Sequence, residues 1–209
     1  MTIYKIYGRR ILNLFDHLTN GYSREQNVSL KFAIMGAPGS GKSTLSAGLL
    51  YFSKLFFFKA DAVPEVAKWM IYKNKDFSQP NFELNKFKEQ KKLENIYPKS
   101  LEITICEAPL IISAAYAYYY HGEDSDVYKN LLSLANKEKH RYTHFFITRK
   151  LAPFENFGRR ETESQSEELH SVMIKILEIL NVNYMVINRF DEHIPLQVLE
   201  SVGAIKKRK

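Results

Sequence analysis

Residues 28–45 read VSLKFAIMGAPGSGKSTL. Val28 to Met35 is a mostly apolar run of strand length. It enters Gly36-Ala37-Pro38-Gly39-Ser40-Gly41-Lys42-Ser43, a full match to G-x-x-x-x-G-K-[ST]. Thr44 to Phe52 follows with helical apolar spacing, so the motif lies between an expected strand and an expected helix. Glycines let such a loop curl until successive N–H groups point at phosphate oxygens, and the helix beginning near Lys42 adds its positive dipole end. Gly36, Pro38, Gly39, Ser40, Gly41, Lys42, Ser43 and Thr44 are therefore the expected cradle for the phosphates of ATP. In it, Lys42 reaches the β- and γ-phosphates and the Ser43 hydroxyl ligates Mg²⁺.

Strands and helices alternate on either side of this stretch. Before it, Ile11, Leu12, Leu14, Phe15 and Leu18 form the apolar face of a short helix that stops at Asn20-Gly21. After it, Leu55-Phe56-Phe57-Phe58 reads as a second strand running into Lys59-Ala60-Asp61. Pro64 opens a helix with Glu65 in its first turn. Another helix spans Pro80 to about Ile96. Leu101 to Cys106 alternates as a third strand, with Glu107 at its tip. Helices follow over Ile111–Tyr120 and Asp126–Lys139, then a fourth strand over Tyr142–Thr148. Arg149 to Ser166 is polar and without apolar period, and contains Pro153, Asn156, Gly158, Arg159 and Arg160. An amphipathic helix over Gln165–Leu180, a fifth strand over Asn183–Asn188 and a closing helix over Asp191–Val202 complete the chain. This alternation implies an α/β domain with a parallel sheet, right-handed crossovers and ligands at the carboxyl ends of its strands.

Composition narrows the class. With 209 residues, 45% hydrophobic and 25% charged, the chain suits one soluble domain with its own core. No apolar run approaches the ~18 residues of a membrane span, and Lys5, Arg9 and Arg10 interrupt any leader-like segment. One cysteine, Cys106, permits no internal disulfide, which suits a reducing cytoplasm and an inert core thiol. The net charge of +7 sits mostly at the ends: Lys206, Lys207, Arg208 and Lys209 supply +4, residues 1–27 supply +2, and +1 remains for the body. Solvated termini are the plain reading, and contact with nucleic acid is the other. The six histidines show no zinc-ligand spacing.

A phosphate loop alone does not name a reaction. Asn136-Lys137-Glu138-Lys139 lacks the Asp of a guanine reader, no LSGGQ segment exists, and the helical domain that follows an AAA+ motor core has no room. A small-molecule kinase needs an acid, phosphate-holding cations and a cover against water. Glu107 at a strand tip is the expected second Mg²⁺ ligand beside Ser43. Glu65 is the expected acceptor of the substrate hydroxyl's proton, with Asp61 a second candidate. Arg160 is expected to stabilise the moving phosphoryl group, and Arg159, with Arg149 as a third contact, to hold phosphate. Gly158 would act as the hinge of this cover. Tyr116, Tyr118, Tyr119 and Tyr120, with Trp69 and Phe77, are core residues or an aromatic wall for a flat acceptor.

The order GAPGSGKST, VPEVAK, ICEAPLIIS, FGRRETESQ resembles P-loop kinases related to the nicotinamide-riboside kinase domain of the bifunctional NAD-biosynthesis regulator. It also resembles small AAA-type nucleotide kinases of phages and bacteria, over about residues 30–190. The resemblance implies a P-loop NTPase fold with a five-stranded parallel sheet in the order 2-3-1-4-5, flanked by helices and carrying a lid. The family's lid segment D-G-x-R falls on Phe157-Gly158-Arg159-Arg160, which matches Arg160 and replaces the acid by Phe157. The family's strand-end D-T-D falls on Glu107-Ala108-Pro109, which keeps only the first acid, and Glu65 lies in the acceptor-side acidic segment. The expected organisation is an N-terminal helical extension (1–27), a kinase domain (28–205) with its lid at about 149–166, and a basic tail (206–209). The expected reaction moves the γ-phosphoryl of ATP to a hydroxyl of a nucleoside- or nucleotide-like acceptor. Two alternatives stay open: a kinase acting on nucleic acid through its basic termini, and a non-catalytic ATP switch. Oligomeric state is not legible.

Overall fold

In Leu30–Met35 (β2) alternate side chains enter two different cores, because the strand lies in mid-sheet with helices on both faces. Ala33 and Met35 pack with Val63, Cys106 and Ile147 beneath one layer of helices. Phe32 and Ile34 pack with Ile103, Ile105 and Phe146 beneath the other. The computed structural model describes residues 21–73, 81–149, 154, 159–189, 191 and 193–208. The expected helix at 11–18, Phe77, Pro153, Asn156 and the Gly158 hinge lie outside the described residues.

Among the described residues the order is β1 (Tyr22–Arg24), β2, α1 (Lys42–Leu55), β3 (Ala60–Val63), α2 (Val66–Tyr72), α3 (Phe82–Ile96), β4 (Ile103–Glu107), α4 (Ile112–His121) and α5 (Asp126–Glu138). A 3₁₀ turn at Lys139–Arg141, β5 (His144–Thr148), α6 (Glu163–Ile179), β6 (Tyr184–Ile187), α7 (Ile194–Ser201) and β7 (Ile205–Lys207) follow. The central sheet runs β3-β4-β2-β5-β6, all parallel, which is the expected order 2-3-1-4-5 for its five strands. Helices α1 and α7 cover one face, and α4, α5 and α6 cover the other. Among the described residues no helix is long and apolar enough to cross a membrane.

The second strand is not where the apolar run put it. Leu55 ends α1, and Phe56-Phe57-Phe58 forms a helix stop instead of a strand. The Phe58 N–H donates to the Ser53 carbonyl and the Phe57 N–H to the Lys54 carbonyl, with Phe57 left-handed at φ 61°. Phe56 and Phe58 are buried and Phe57 is 75% exposed, an in-out-in pattern that a turn and a strand share. The strand begins at Ala60. Phenylalanine carries a steric cost in this backbone region that glycine avoids. Phe57→Gly is therefore expected to raise stability by about 1 kcal/mol, read as a higher urea midpoint; a lower midpoint would show that the exposed ring supports the fold.

The two ends of the chain fasten to each other. β1 pairs antiparallel with β7, Tyr22 opposite Lys207. Lys206 pairs with Glu25 at 2.5 Å, and the Lys207 ammonium lies 5.7 Å from the Tyr22 ring centre. The expected free basic tail is thus a strand as far as Lys207. Arg24 binds Glu102, just ahead of β4, and the Phe57 carbonyl, which places this ribbon at the amino ends of the core strands.

These contacts make stability depend on pH at both extremes. The Tyr22 hydroxyl donates to Glu200 at 2.7 Å, and burial, then Glu200, push its phenol from 10.0 up to about 12. That contribution is full below pH 10 and is lost as pH rises towards 12, because the unfolded chain ionises first. The Glu102 carboxylate accepts the Lys59 N–H and then pairs with Arg24, and its pKa lies below the usual value. Its contribution is present above pH 4.5 and is lost as pH falls below that. Thermal melts across pH are expected to decline at both ends, with Tyr22→Phe flattening the alkaline limb.

Candidate active site

The phosphate loop is held from beneath by β5. The Thr148 hydroxyl donates to the Met35 carbonyl (3.2 Å) and so accepts from the Ser40 hydroxyl (2.7 Å). Gly36 sits against this pair at φ 149°: a Cβ there would come within 2.3 Å of both hydroxyl oxygens and 2.9 Å of the Thr148 carbonyl. Any side chain at 36 would push the loop off the strand. Gly41, at φ 92°, turns the chain into α1, and Leu45 N–H to Gly41 carbonyl is the first helical bond there. The amides of Lys42, Ser43 and Thr44 precede that bond and stand at the positive end of the helix. Lys42 is buried and donates Nζ to the Ala37 carbonyl at 3.2 Å.

Parallel register explains the next contact. Ile34 pairs with Glu107, so the tip of β4 ends beside the start of the loop. The Ser43 hydroxyl donates to Glu107 Oε2 at 3.0 Å. A hydroxyl and a carboxylate side by side are hard oxygen donors, the type magnesium prefers when phosphate and water complete its shell. Among the described residues no cluster of three or more His, Cys, Asp and Glu side chains could hold a metal.

A cavity of about 360 Å³ opens from the loop. Lys42, Ser43 and Thr44 form one side, with Glu65 and Lys68 from the α2 end. Glu65 is not in the first turn of α2 but just ahead of it, in extended backbone, and its side chain does not cap the helix. Gln90 takes that role: its Oε1 accepts the Val66 N–H (2.9 Å) and its Nε2 donates to the Pro64 carbonyl (3.1 Å). The Glu65 carboxylate thereby stays available to the cavity. Asp61 lies in the middle of β3, accepts the Ala62 N–H and does not line the cavity.

The far wall comes from α3, α4 and residues 159–161. Glu83 and Lys86 are an ion pair one turn apart, and the Lys86 ammonium lies 3.9 Å from the Tyr116 ring centre. Glu94, at the other end of α3, anchors the helix by accepting from Lys31 (2.6 Å) and Tyr142 (2.7 Å). Tyr120 donates to Glu161 at 2.5 Å, and the Arg160 guanidinium lies 4.2 Å from the Tyr120 ring centre. Burial, then Glu65 and Glu161, push the Tyr116 phenol well up, so it stays a neutral hydroxyl. Tyr116 and Tyr120 thus line the cavity, whereas Tyr118 turns to Lys175 and Tyr119 to Glu168. Trp69 is 58% exposed and belongs to neither core.

Arg159 leans on the loop itself. A Cβ built on Gly39 would lie 2.5 Å from its Nη1, and Phe154 lies beneath its guanidinium at 4.9 Å. That Nη1 is buried and has no hydrogen-bond partner among the described residues. A second cavity of about 480 Å³ is lined by Ala37–Ser40 of the loop and by α6, together with Arg149 and Asn188. The Ser166 hydroxyl latches α6 to the loop through the Pro38 carbonyl at 2.6 Å.

One cavity therefore gathers Lys42, Ser43, Glu65, Arg159 and Arg160, with Glu107 reached through Ser43. Thr148, Ser166, Glu83, Lys86 and Glu161 escaped the sequence reading. Only Glu161, next to Arg160, and Thr148, at a strand end, carried any positional signal.

Among solved structures the fold is shared with NadR protein in complex with NAD and AMP-PNP (TM-score 0.62, 18% identity, 87% of this chain, 51% of NadR). It is also shared with deoxyadenosine kinase from M. mycoides with the products dCMP and dCDP (TM-score 0.54, 16% identity, 83% of this chain, 98% of that one). The chain spans about half the length of NadR. No curated protein matches it. The resemblance to P-loop nucleotide kinases thus stands on fold. A family profile described as AAA domain matches residues 31–193, most of the chain, and the protein belongs to that AAA domain family.

Proposed function

We propose that this protein is an ATP-dependent phosphotransferase that moves the γ-phosphoryl group to a hydroxyl of a nucleoside- or nucleotide-like acceptor. The observation carrying this reading is a single cavity that joins a phosphate loop to a carboxylate and two lid arginines. Lys42 and the amides of residues 39–44 hold the phosphates. Glu65 takes the proton of the acceptor hydroxyl as its oxygen bonds to the γ-phosphorus and the bridging P–O bond breaks, leaving ADP. Ser43 and Glu107 would hold magnesium, whose charge offsets that of the phosphate oxygens. Arg159 holds phosphate against the loop, and Arg160 closes over the transferring group beside Tyr120. Tyr116, Tyr120 and Phe82 offer the acceptor flat apolar faces, while the Glu83–Lys86 pair and Glu161 offer hydrogen bonds.

Incubation with γ-labelled ATP and a panel of nucleosides, nucleotides and modified DNA tests this reading. A labelled small-molecule product supports it, and ATP binding without any product would favour the regulatory alternative. The nucleic-acid alternative gains little from Lys206 and Lys207, since β1 and β7 lie at the amino ends of the core strands, opposite the loop. The two arginines should separate kinetically. Arg160→Ala is expected to lower kcat by about 10²–10³, while Arg159→Ala mainly raises KM for ATP, by about tenfold. Equal effects on both constants would show that the two act as one unit.

A further inference from the structure

The second cavity shares Ala37–Ser40 with the phosphate loop, so a nucleotide gripped by the loop can extend into it. Glu163, Ser166, Glu167 and His170 are one face of α6, spaced three, four and seven residues on, and all line this cavity. Ser166 is already spent on the Pro38 carbonyl. One turn further on, the His170 Nε2 is buried and has no hydrogen-bond partner among the described residues. A buried polar atom left unpaired is destabilising and rare in folded proteins. Burial, then Arg149, hold the imidazole pKa below its usual value, so the ring is neutral near pH 7 and is no phosphate-binding cation. A neutral, orphaned ring nitrogen in a cavity adjoining a phosphate loop suits the uncharged end of a nucleotide. Arg149, which also lines the cavity, has a planar guanidinium of the kind that stacks on a base.

We infer that His170 reads the base of the phosphate donor, its Nε2 hydrogen-bonding the edge of a purine seated between the loop and α6. This rests on the reading of the loop as an ATP site, and the test separates the two. Binding of ATP and of inorganic tripolyphosphate, which has no base, is measured by calorimetry for the wild type, His170→Phe and His170→Gln. His170→Phe is expected to weaken ATP about tenfold and to leave tripolyphosphate unchanged, while His170→Gln recovers part of the loss. The melting temperature of His170→Phe should not fall, because an unpaired nitrogen has been removed; a structural histidine would lower it. If phenylalanine does not fold, His170→Ala gives the same comparison. Unchanged ATP affinity, or an equal loss for both probes, overturns the inference. A wild type that binds both probes with equal affinity also overturns it, while one that binds neither overturns the ATP-site reading itself.

Discussion

Lys42→Ala is expected to lower kcat/KM by about 10³-fold, with little change in the melting temperature. Lys42 is the only cation within the loop, is almost wholly buried, and among the described residues its hydrogen bond runs to the Ala37 carbonyl of the same loop. Its ammonium therefore contributes little to the packing of either core. What it does supply is a positive charge in a confined space where phosphate oxygens would gather, and there a charge acts far more strongly than in water. Lys42→Arg should rescue poorly, because the wider guanidinium does not fit a side chain enclosed to this degree. Steady-state kinetics beside a thermal melt checks both points. Wild-type turnover in a folded Lys42→Ala variant would end the phosphotransferase reading.

Glu65→Gln is expected to lower kcat by about 10²–10⁴, with KM for ATP unchanged. The substitution keeps shape and hydrogen bonding but removes the ability to take a proton. Glu65 is spared from capping α2 because Gln90 bonds the Val66 N–H in its place. A local structural role would predict a fall in stability, whereas a proton acceptor predicts a fall in kcat alone. Loss confined to KM for the acceptor would assign Glu65 to binding. Asp61→Asn serves as a control, since Asp61 does not line the cavity, and its effect should be small.

Some of this was legible before any coordinates. The loop could be read because its eight residues are contiguous and its glycines answer to local backbone geometry, as the contacts at Gly36 show. Glu107 could be read because an alternating strand ends on it, and register then brings it to Ser43. Leu55 to Phe58 misled because three phenylalanines are equally at home in a strand and in a helix stop; the two hydrogen bonds from Phe57 and Phe58 decide it. Glu65 is legible only as an acid near a helix start; that it does not cap the helix depends on Gln90, 24 residues away in the next helix.

Chain-local chemistry, then, is enough to establish a P-loop turn between a strand and a helix, and the alternation that builds a parallel sheet around it. The rest of the site comes from meetings between residues that are remote along the chain. Ser40 meets Thr148 because β5 pairs with β2, and Ser166 meets Pro38 and Tyr120 meets Glu161 because α6 and α4 pack beside the loop. No spacing rule encodes such pairs. Side-chain packing selects them once hydrophobic burial has brought the layers together, so the walls of both cavities, and the unpaired nitrogen of His170, exist only in the folded protein.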